Sequence, residues 1–146
     1  METCVFCSDA EIDAREIART GLVRAFPTNI PIVPGHTLVC PLRHVSTFSE
    51  LSIDEREAIF ALAESIKIAL TKLYGVTGFH EAWNEGAVAG QSVPHFHLHI
   101  VPRKDGDEGI TEYEPRKFLY RPGSRQETVG EELRAVAQEI TNTMQL

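Results

Sequence analysis

The amino-acid sequence predicts an α+β fold in which an antiparallel sheet packs against one long helix and a C-terminal helix. One observation is a series of short apolar segments with strand composition, separated by proline and glycine. Another is a segment at residues 53–74 whose apolar side chains recur at helical spacing. The order along the chain is strands, one long helix, further strands and a tail, and this order favours an antiparallel sheet.

The predicted strands follow from local patterns. Residues 16–26 predict a hairpin that turns near Gly21, and a proline-rich loop then leads to an apolar strand at 37–41. After the long helix, residues 78–84 have the pattern of another strand. A glycine-rich turn connects this strand to a final one that carries three histidines.

The two helices have recognisable ends. Residues 52–55 (Ser-Ile-Asp-Glu) form a capping-box sequence that opens the long helix, and Gly75 suits the position just after its last turn. Residues 128–144 predict the terminal helix, with an apolar face made of Leu133, Val136, Ala137 and Ile140.

Charge and composition exclude several classes of function. A net charge of −7 argues against a nucleic-acid-binding surface, which needs clustered Lys and Arg, but it allows a small anionic substrate in a locally positive pocket. No apolar run approaches the roughly 20 residues that span a bilayer, and no secretory signal is recognisable. Three cysteines in such a chain argue against a disulfide framework. We therefore expect a cytoplasmic protein that does not contact membranes.

The most informative segment contains His95, His97 and His99 at alternate positions. On a strand the three imidazoles would share one face, and the apolar residues between them would face the core. The histidines could be metal ligands, or one of them could be a nucleophile that its neighbours orient. The third interpretation is a sheet that tolerates exposed histidines without any function.

The turn before the histidines favours the nucleophile. It offers amide and hydroxyl donors, and its glycines allow a ligand to approach the backbone closely. A phosphoryl group is the natural ligand for such a turn. The candidate residues for binding it are Asn84, Gly90, Gln91 and Ser92.

On these residues the sequence resembles the histidine triad (HIT) superfamily of nucleotide hydrolases and transferases. Residues 95–101 match the family pattern His-φ-His-φ-His-φ-φ in full, where φ is apolar, and residues 34–43 also fit. The resemblance implies a single HIT domain over residues 1–146, with an N-terminal segment at 1–15 and a C-terminal tail at 105–146 that contains the last helix.

Two branches of the superfamily are similar to different parts of the chain. Residues 33–43 and 101–104 look most like the fragile-histidine-triad hydrolases of dinucleoside polyphosphates. The N-terminal cysteines look more like the small bacterial members of the phosphoramidase branch.

The resemblance implies a covalent mechanism. His97 would attack the α-phosphorus of a nucleotide, and water would then release a nucleoside monophosphate. His99 and Gln91 would hold the α-phosphate oxygens, Asn84 another phosphate oxygen, and Ser92 would bond to the leaving group. The implied substrate is a dinucleoside polyphosphate such as diadenosine tri- or tetraphosphate. The alternatives are an adenosine phosphoramidase and a nucleotide-binding sensor with little turnover, and no carboxylate pair suited to magnesium is evident.

Cys4 and Cys7 form a Cys-x-x-Cys pair, which alone indicates a redox pair, half of a zinc site or coincidence. A structural zinc needs two further ligands, and the resemblance to bacterial HIT proteins implies that His44 and His95 supply them.

Other positions carry weaker expectations. We expect Cys40 to be a small buried apolar residue and His36 to have a structural role in its turn. The residues expected around a base, Leu22, Phe26 and Ile30, are generically apolar and do not identify it. We also predict a homodimer, because residues 53–74 and 79–83 offer more apolar surface than a small sheet can cover.

Overall fold

A computed structural model describes residues 4–109 and 126–144 and shows a five-stranded antiparallel sheet. The strand order is β1-β2-β3-β5-β4, and each neighbouring pair is antiparallel. The strands are β1 (Ala18–Arg19), β2 (Val23–Pro27), β3 (Thr37–Pro41), β4 (Gly78–Ala82) and β5 (Leu98–Arg103). The predicted α+β fold is confirmed, as is the hairpin around Gly21, because β1 and β2 flank that residue.

The long helix α3 spans Ile53–Tyr74 and has the predicted ends. The Ser52 hydroxyl accepts from the backbone N–H of Glu55, the Glu55 carboxylate accepts from the backbone N–H of Ser52, and Gly75 is left-handed with φ 63°. The helix buries one apolar stripe against the sheet, made of Ile59, Leu62, Ala63, Ile66, Ala69 and Leu70.

The C-terminal helix α4 spans Gly130–Thr143, close to the predicted range of 128–144. Its buried residues Leu133, Ala137 and Ile140 include three of the four predicted apolar positions, and it packs against α3 and β2. Residues 110–125 of the predicted tail lie outside the described part of the chain.

Two short helices, α1 (Val5–Ser8) and α2 (Ala10–Ala14), pack on the sheet face opposite α3. Phe6 and Ile12 come from these helices and contact Phe26 of β2 and Leu38 of β3. The N-terminal segment thus forms a second, smaller core on the face that carries the histidines.

The histidine segment differs from the predicted strand, because its ladder with β3 begins only at Leu98. The backbone N–H of His95 bonds to the Val93 carbonyl, and that of Phe96 bonds to the Val45 carbonyl in the loop after β3. The side chains still alternate, since Phe96 packs in the core under α3. The histidines are not exposed, as one interpretation of the sequence assumed, because His95, His97 and His99 are 1%, 5% and 4% exposed.

No helix in the described residues is long and apolar enough to cross a membrane. A cytoplasmic location stays a prediction.

The loop after β3 is tied to α3 by a buried carboxylate. Arg43 donates to the two oxygens of Glu55 at 3.2 and 2.7 Å, and also to the Glu50 carbonyl at 2.8 Å. The hydrogen bonds from Arg43 hold the pKa of Glu55 below its ordinary value, and burial opposes them. Glu55 therefore both caps α3 and positions the segment that continues to His44.

Replacing Glu55 by Ala should destabilise the protein by about 2 kcal/mol, since it removes a capping-box partner and the acceptor of Arg43. The measurement is urea unfolding followed by circular dichroism. Because the pKa of Glu55 is depressed, its contribution is present above the ordinary carboxyl pKa and is lost as the pH falls through the folded-state value. The difference between the two proteins should therefore shrink in acid.

The matched control is Glu64→Ala on the exposed side of α3, where the ion pair with Lys67 is mostly in solvent. Its effect should stay within about 0.5 kcal/mol. Equal effects of the two substitutions would contradict a special role for Glu55.

Candidate active site

A cavity of about 730 Å³ lies on the sheet face that the N-terminal helices cover. Phe26 and Leu38 of the sheet line it, and so do Phe6 and Ile12 of the N-terminal helices. His97, His99 and Ser92 also line it, so three of the predicted site residues share one cavity. The first turn of α4 lines it too, which the sequence did not predict.

Backbone geometry fixes the tautomer of His97. Its Nδ1 lies 2.8 Å from the His95 carbonyl oxygen, which can only accept, so Nδ1 carries the proton. The edge of the Phe6 ring packs against the imidazole, with 5.0 Å between ring centroids. Burial lowers the pKa of His97 to about 4, and the bond to the His95 carbonyl opposes this shift. The side chain is therefore a neutral imidazole near pH 7, and its Nε2 is unprotonated.

His99 is oriented by a second histidine. The backbone N–H of Ile32 donates to Nδ1 of His36 at 3.1 Å, so a neutral His36 carries its proton on Nε2. That Nε2 lies 2.9 Å from Nδ1 of His99, which must then accept. These two hydrogen bonds place the proton of His99 on Nε2, from which it can be donated to a ligand oxygen.

The expected structural role of His36 in its turn is confirmed, because its backbone closes the turn before β3 by bonding to Thr28 and Val33. Its side chain makes a further contact that the sequence did not predict, since it is buried against His99. Alternation along β3 puts His36 on the same face as Leu38 and Cys40, and that pattern is the signal from which its position could have been inferred.

The first triad histidine belongs to a different cluster. Nε2 of His95 donates to the Pro41 carbonyl at 2.8 Å, so its Nδ1 has a free lone pair. That Nδ1 lies 3.5 Å from each of the Cys4 and Cys7 sulfurs and 3.2 Å from Nδ1 of His44. The four atoms lie within 4.8 Å of one another, so the structure brings all four predicted metal ligands together.

The distances suit a tetrahedral metal ion. Ligand bonds of about 2.3 Å to sulfur and about 2.0 Å to nitrogen imply separations of about 3.5 Å between sulfur and nitrogen and about 3.3 Å between nitrogens. The observed values are 3.5, 3.5 and 3.7 Å for sulfur–nitrogen pairs and 3.2 Å for the nitrogen pair. The Pro41 carbonyl supplies the outer hydrogen bond that metal-binding histidines ordinarily make.

A site in which all three triad histidines hold one metal is not formed. His97 bonds to a carbonyl and His99 to His36, and among the described residues the potential metal group contains only His95 of the three. Cys40 lies outside this group and is fully buried, and burial raises the pKa of its thiol to about 12. Its predicted place in the core is confirmed.

The remaining predicted binding residues shape the turn and do not line the cavity. The Asn84 amide donates to the Gly90 carbonyl at 3.3 Å, and Gly90 is left-handed with φ 95°. Gln91 donates to the Ser46 carbonyl and accepts from the backbone N–H of Gly86, each at 2.9 Å. These bonds fix the turn that carries Ser92 to the cavity.

Comparison with known proteins agrees with this geometry. A family model for the HIT domain matches residues 9–106. The chain belongs to the HIT family.

Its relatives in the HIT family include hydrolases of different specificity. The chain is 39% identical to the bifunctional bis(5′-adenosyl)-triphosphatase/adenylylsulfatase FHIT of Arabidopsis thaliana over 98 residues, which are 66% of this chain and 54% of that protein. It is 32% identical to the adenosine 5′-monophosphoramidase hnt1 of Schizosaccharomyces pombe over 110 residues, 74% and 80% of the two chains. Both of these relatives are thus named for activities on adenosine nucleotides.

Among solved structures, a Zn-bound histidine triad family protein from Mycobacterium smegmatis superimposes with a TM-score of 0.67. It is 28% identical, and the match covers 96% of each chain. The described part of the chain therefore has the fold of a solved HIT family protein.

The metal cluster generates a direct prediction. Purified protein should contain about one metal ion per chain, and the double variant Cys4→Ala/Cys7→Ala should lose it, because two of four ligands are removed. Elemental analysis measures both the amount and the identity of the metal. The control is Cys40→Ala, which should keep its metal, and loss of metal from this variant as well would contradict the assignment.

Proposed function

We propose that this protein hydrolyses dinucleoside polyphosphates, such as diadenosine tri- or tetraphosphate, through a covalent intermediate on His97. The observation that carries the proposal is the tautomer of His97. Its proton is held on Nδ1 by the His95 carbonyl, so the nucleophilic lone pair of Nε2 lies in the cavity beside His99 and Ser92. A protein that only bound nucleotides would not need a buried imidazole whose tautomer is fixed in this way.

The reaction proceeds in two displacements. Nε2 of His97 attacks the α-phosphorus, a P–N bond forms, and the bond from phosphorus to the bridging oxygen breaks, with the electron pair leaving on the released nucleoside di- or triphosphate. Water then attacks the same phosphorus and loses a proton to solvent, the P–N bond breaks with its electron pair returning to Nε2, and a nucleoside monophosphate leaves. The Nε2 proton of His99 stabilises negative charge on an α-phosphate oxygen, and the Ser92 hydroxyl bonds to the leaving oxygen.

Two of the turn residues act indirectly in this proposal, since Asn84 bonds to the Gly90 carbonyl and together they fix the turn that carries Ser92. Gln91 acts directly, because it reaches a phosphate oxygen when its bond to the Ser46 carbonyl is exchanged for one to the substrate.

The second candidate is an adenosine phosphoramidase, in which the same attack breaks a P–N bond of the substrate. It is favoured by the similarity to a phosphoramidase over 80% of that protein's length. Initial rates with diadenosine triphosphate, diadenosine tetraphosphate and adenosine phosphoramidate separate the two. We expect a higher kcat/KM for the polyphosphates, and the reverse order would establish the phosphoramidase.

Replacing His97 by Ala should lower kcat by about 10³-fold or more, as removal of a nucleophile does. Binding of nucleoside monophosphate should persist, since the rest of the cavity remains. His80→Ala is the control, because His80 is exposed on β4 and should be silent. If the His97 variant kept a tenth of wild-type activity, the nucleophile would have to be another group.

We further propose that the metal is zinc with a structural role. Two thiolates and two imidazoles are a donor set that zinc prefers, and four protein ligands leave no open position for a substrate. A Zn-bound relative with the same fold supports this identity. When bound, zinc would fasten Cys4 and Cys7 to the start of the histidine segment.

We also propose a homodimer formed through α3 and the edge strand β4. The exposed apolar residues Ile53, Phe60 and Ile68 are spaced by seven and eight positions, so they lie on one side of the helix. The sheet ends at β4, whose outer edge has no neighbouring strand among the described residues.

Light scattering at micromolar concentration should give about twice the chain mass of 16.3 kDa. A charged residue at the interface should dissociate the dimer, so Phe60→Lys should give the mass of one chain. A wild-type mass near 16.3 kDa would show that the apolar side of α3 does not mediate a stable dimer.

A further inference from the structure

Arg15 is a buried cation that the reaction described above does not use. It ends α2, is only 7% exposed, and lines the same cavity as His97. Its Nε donates to the Pro27 carbonyl at 2.9 Å, and its guanidinium lies over the Phe26 ring, 5.8 Å from the ring centroid. Among the described residues no protein acceptor bonds to Nη1 or Nη2, so two donor groups remain for a ligand.

This arginine lies at the end of the cavity away from the phosphate chemistry. Phe26 pairs with Leu38 across β2 and β3, and Leu38 pairs with His99 across β3 and β5. Two strand spacings separate Phe26 from His99, or about 10 Å. That separation is comparable to the length of a nucleoside from its 5′-oxygen to the far edge of its base. A nucleotide with its phosphate at His97 and His99 therefore places its base beside Arg15.

The charges around Arg15 select a neutral partner. Among the described residues, the carboxylates that line the cavity with it are those of Asp9, Glu11, Glu127 and Glu131. In the same described part of the chain, the one other lysine or arginine lining the cavity is Arg134, which is paired with Glu11 at 2.8 Å. A second phosphate or a carboxylate at this end would be repelled by these acids. A base edge that offers uncharged acceptors would not be repelled.

We propose that Arg15 recognises guanine, so that the protein prefers guanine nucleotides to adenine nucleotides. This inference rests on the proposed function for the placement of the phosphate. Guanine presents two adjacent acceptors, O6 and N7, which match the fork of one guanidinium. Adenine presents an amino donor beside N7, and this donor would face the donors of Arg15. The carboxylates at the same end can accept the remaining N–H groups of guanine, which adenine lacks at those positions.

The test is calorimetric titration of the whole protein with guanosine and adenosine monophosphates, which are not hydrolysed further. Wild-type protein should bind the guanine nucleotide about tenfold more tightly or better, the discrimination expected of one bidentate pair. Arg15→Met keeps the apolar stem but removes the donors, so it should weaken guanine binding by about tenfold and change adenine binding little. Arg15→Lys keeps the charge without the fork, and it should also lose the preference.

The matched control is Arg134→Met, which removes a cation from the cavity rim and should change the two affinities by the same factor. Circular dichroism shows whether each variant folds, and Arg15→Lys decides the test if Arg15→Met does not fold. Equal affinities of the wild-type protein for the two nucleotides, or an equal loss for both in the Arg15 variants, would overturn the inference.

The failure of this inference is distinguishable from failure of the proposed function. If His97→Ala abolishes turnover while the two nucleotides bind equally, the function stands and the guanine assignment falls. If the guanine preference depends on Arg15 while His97→Ala remains active, the base site stands and the nucleophile is wrong.

Discussion

The hydrogen bonds of one residue, His95, organise the rest of the site. Its Nε2 donates to the Pro41 carbonyl at the end of β3, so its Nδ1 is available to a metal. Its own carbonyl holds the proton of His97 on Nδ1, so Nε2 of His97 is unprotonated. The potential metal group and the proposed nucleophile are thus oriented by the ring and the carbonyl of the same residue. Their alternate spacing in sequence makes this arrangement possible, because it places both side chains on one face.

The N-terminal segment connects the metal cluster to the shape of the cavity. Phe6 lies between the two cysteine ligands in sequence, and its ring packs against both His97 and Phe26, at 5.0 and 5.3 Å between centroids. Arg24 of β2 donates to the Phe6 carbonyl at 2.6 Å, which ties the segment between Cys4 and Cys7 to the sheet. A metal that holds Cys4 and Cys7 therefore also holds a wall of the cavity.

Local patterns predicted the elements, whereas long-range register decided the site. The capping box at Ser52 and the glycine after α3 are signals contained within a few residues, and both ends of that helix were predicted correctly. The side-chain contact of His36 was not predictable from local patterns, because its partner, His99, is 63 positions away and meets it through the pairing of β3 with β5. The place of Arg15 likewise depends on how α2 crosses β2. The grouping of His44 and His95 with Cys4 and Cys7 was implied by the resemblance to bacterial HIT proteins and not by any local pattern.

The distribution of charge in the cavity matters more than the net charge of the chain. The chain is acidic overall, and among the described residues the carboxylates that line the cavity are those of Asp9, Glu11, Glu127 and Glu131. His97, His99 and Ser92 contribute polar groups without negative charge to the same cavity. Under the proposed function, an anionic phosphate is stabilised beside these groups and repelled by the carboxylates, so the placement of the charges, and not the net charge, would orient a nucleotide toward His97.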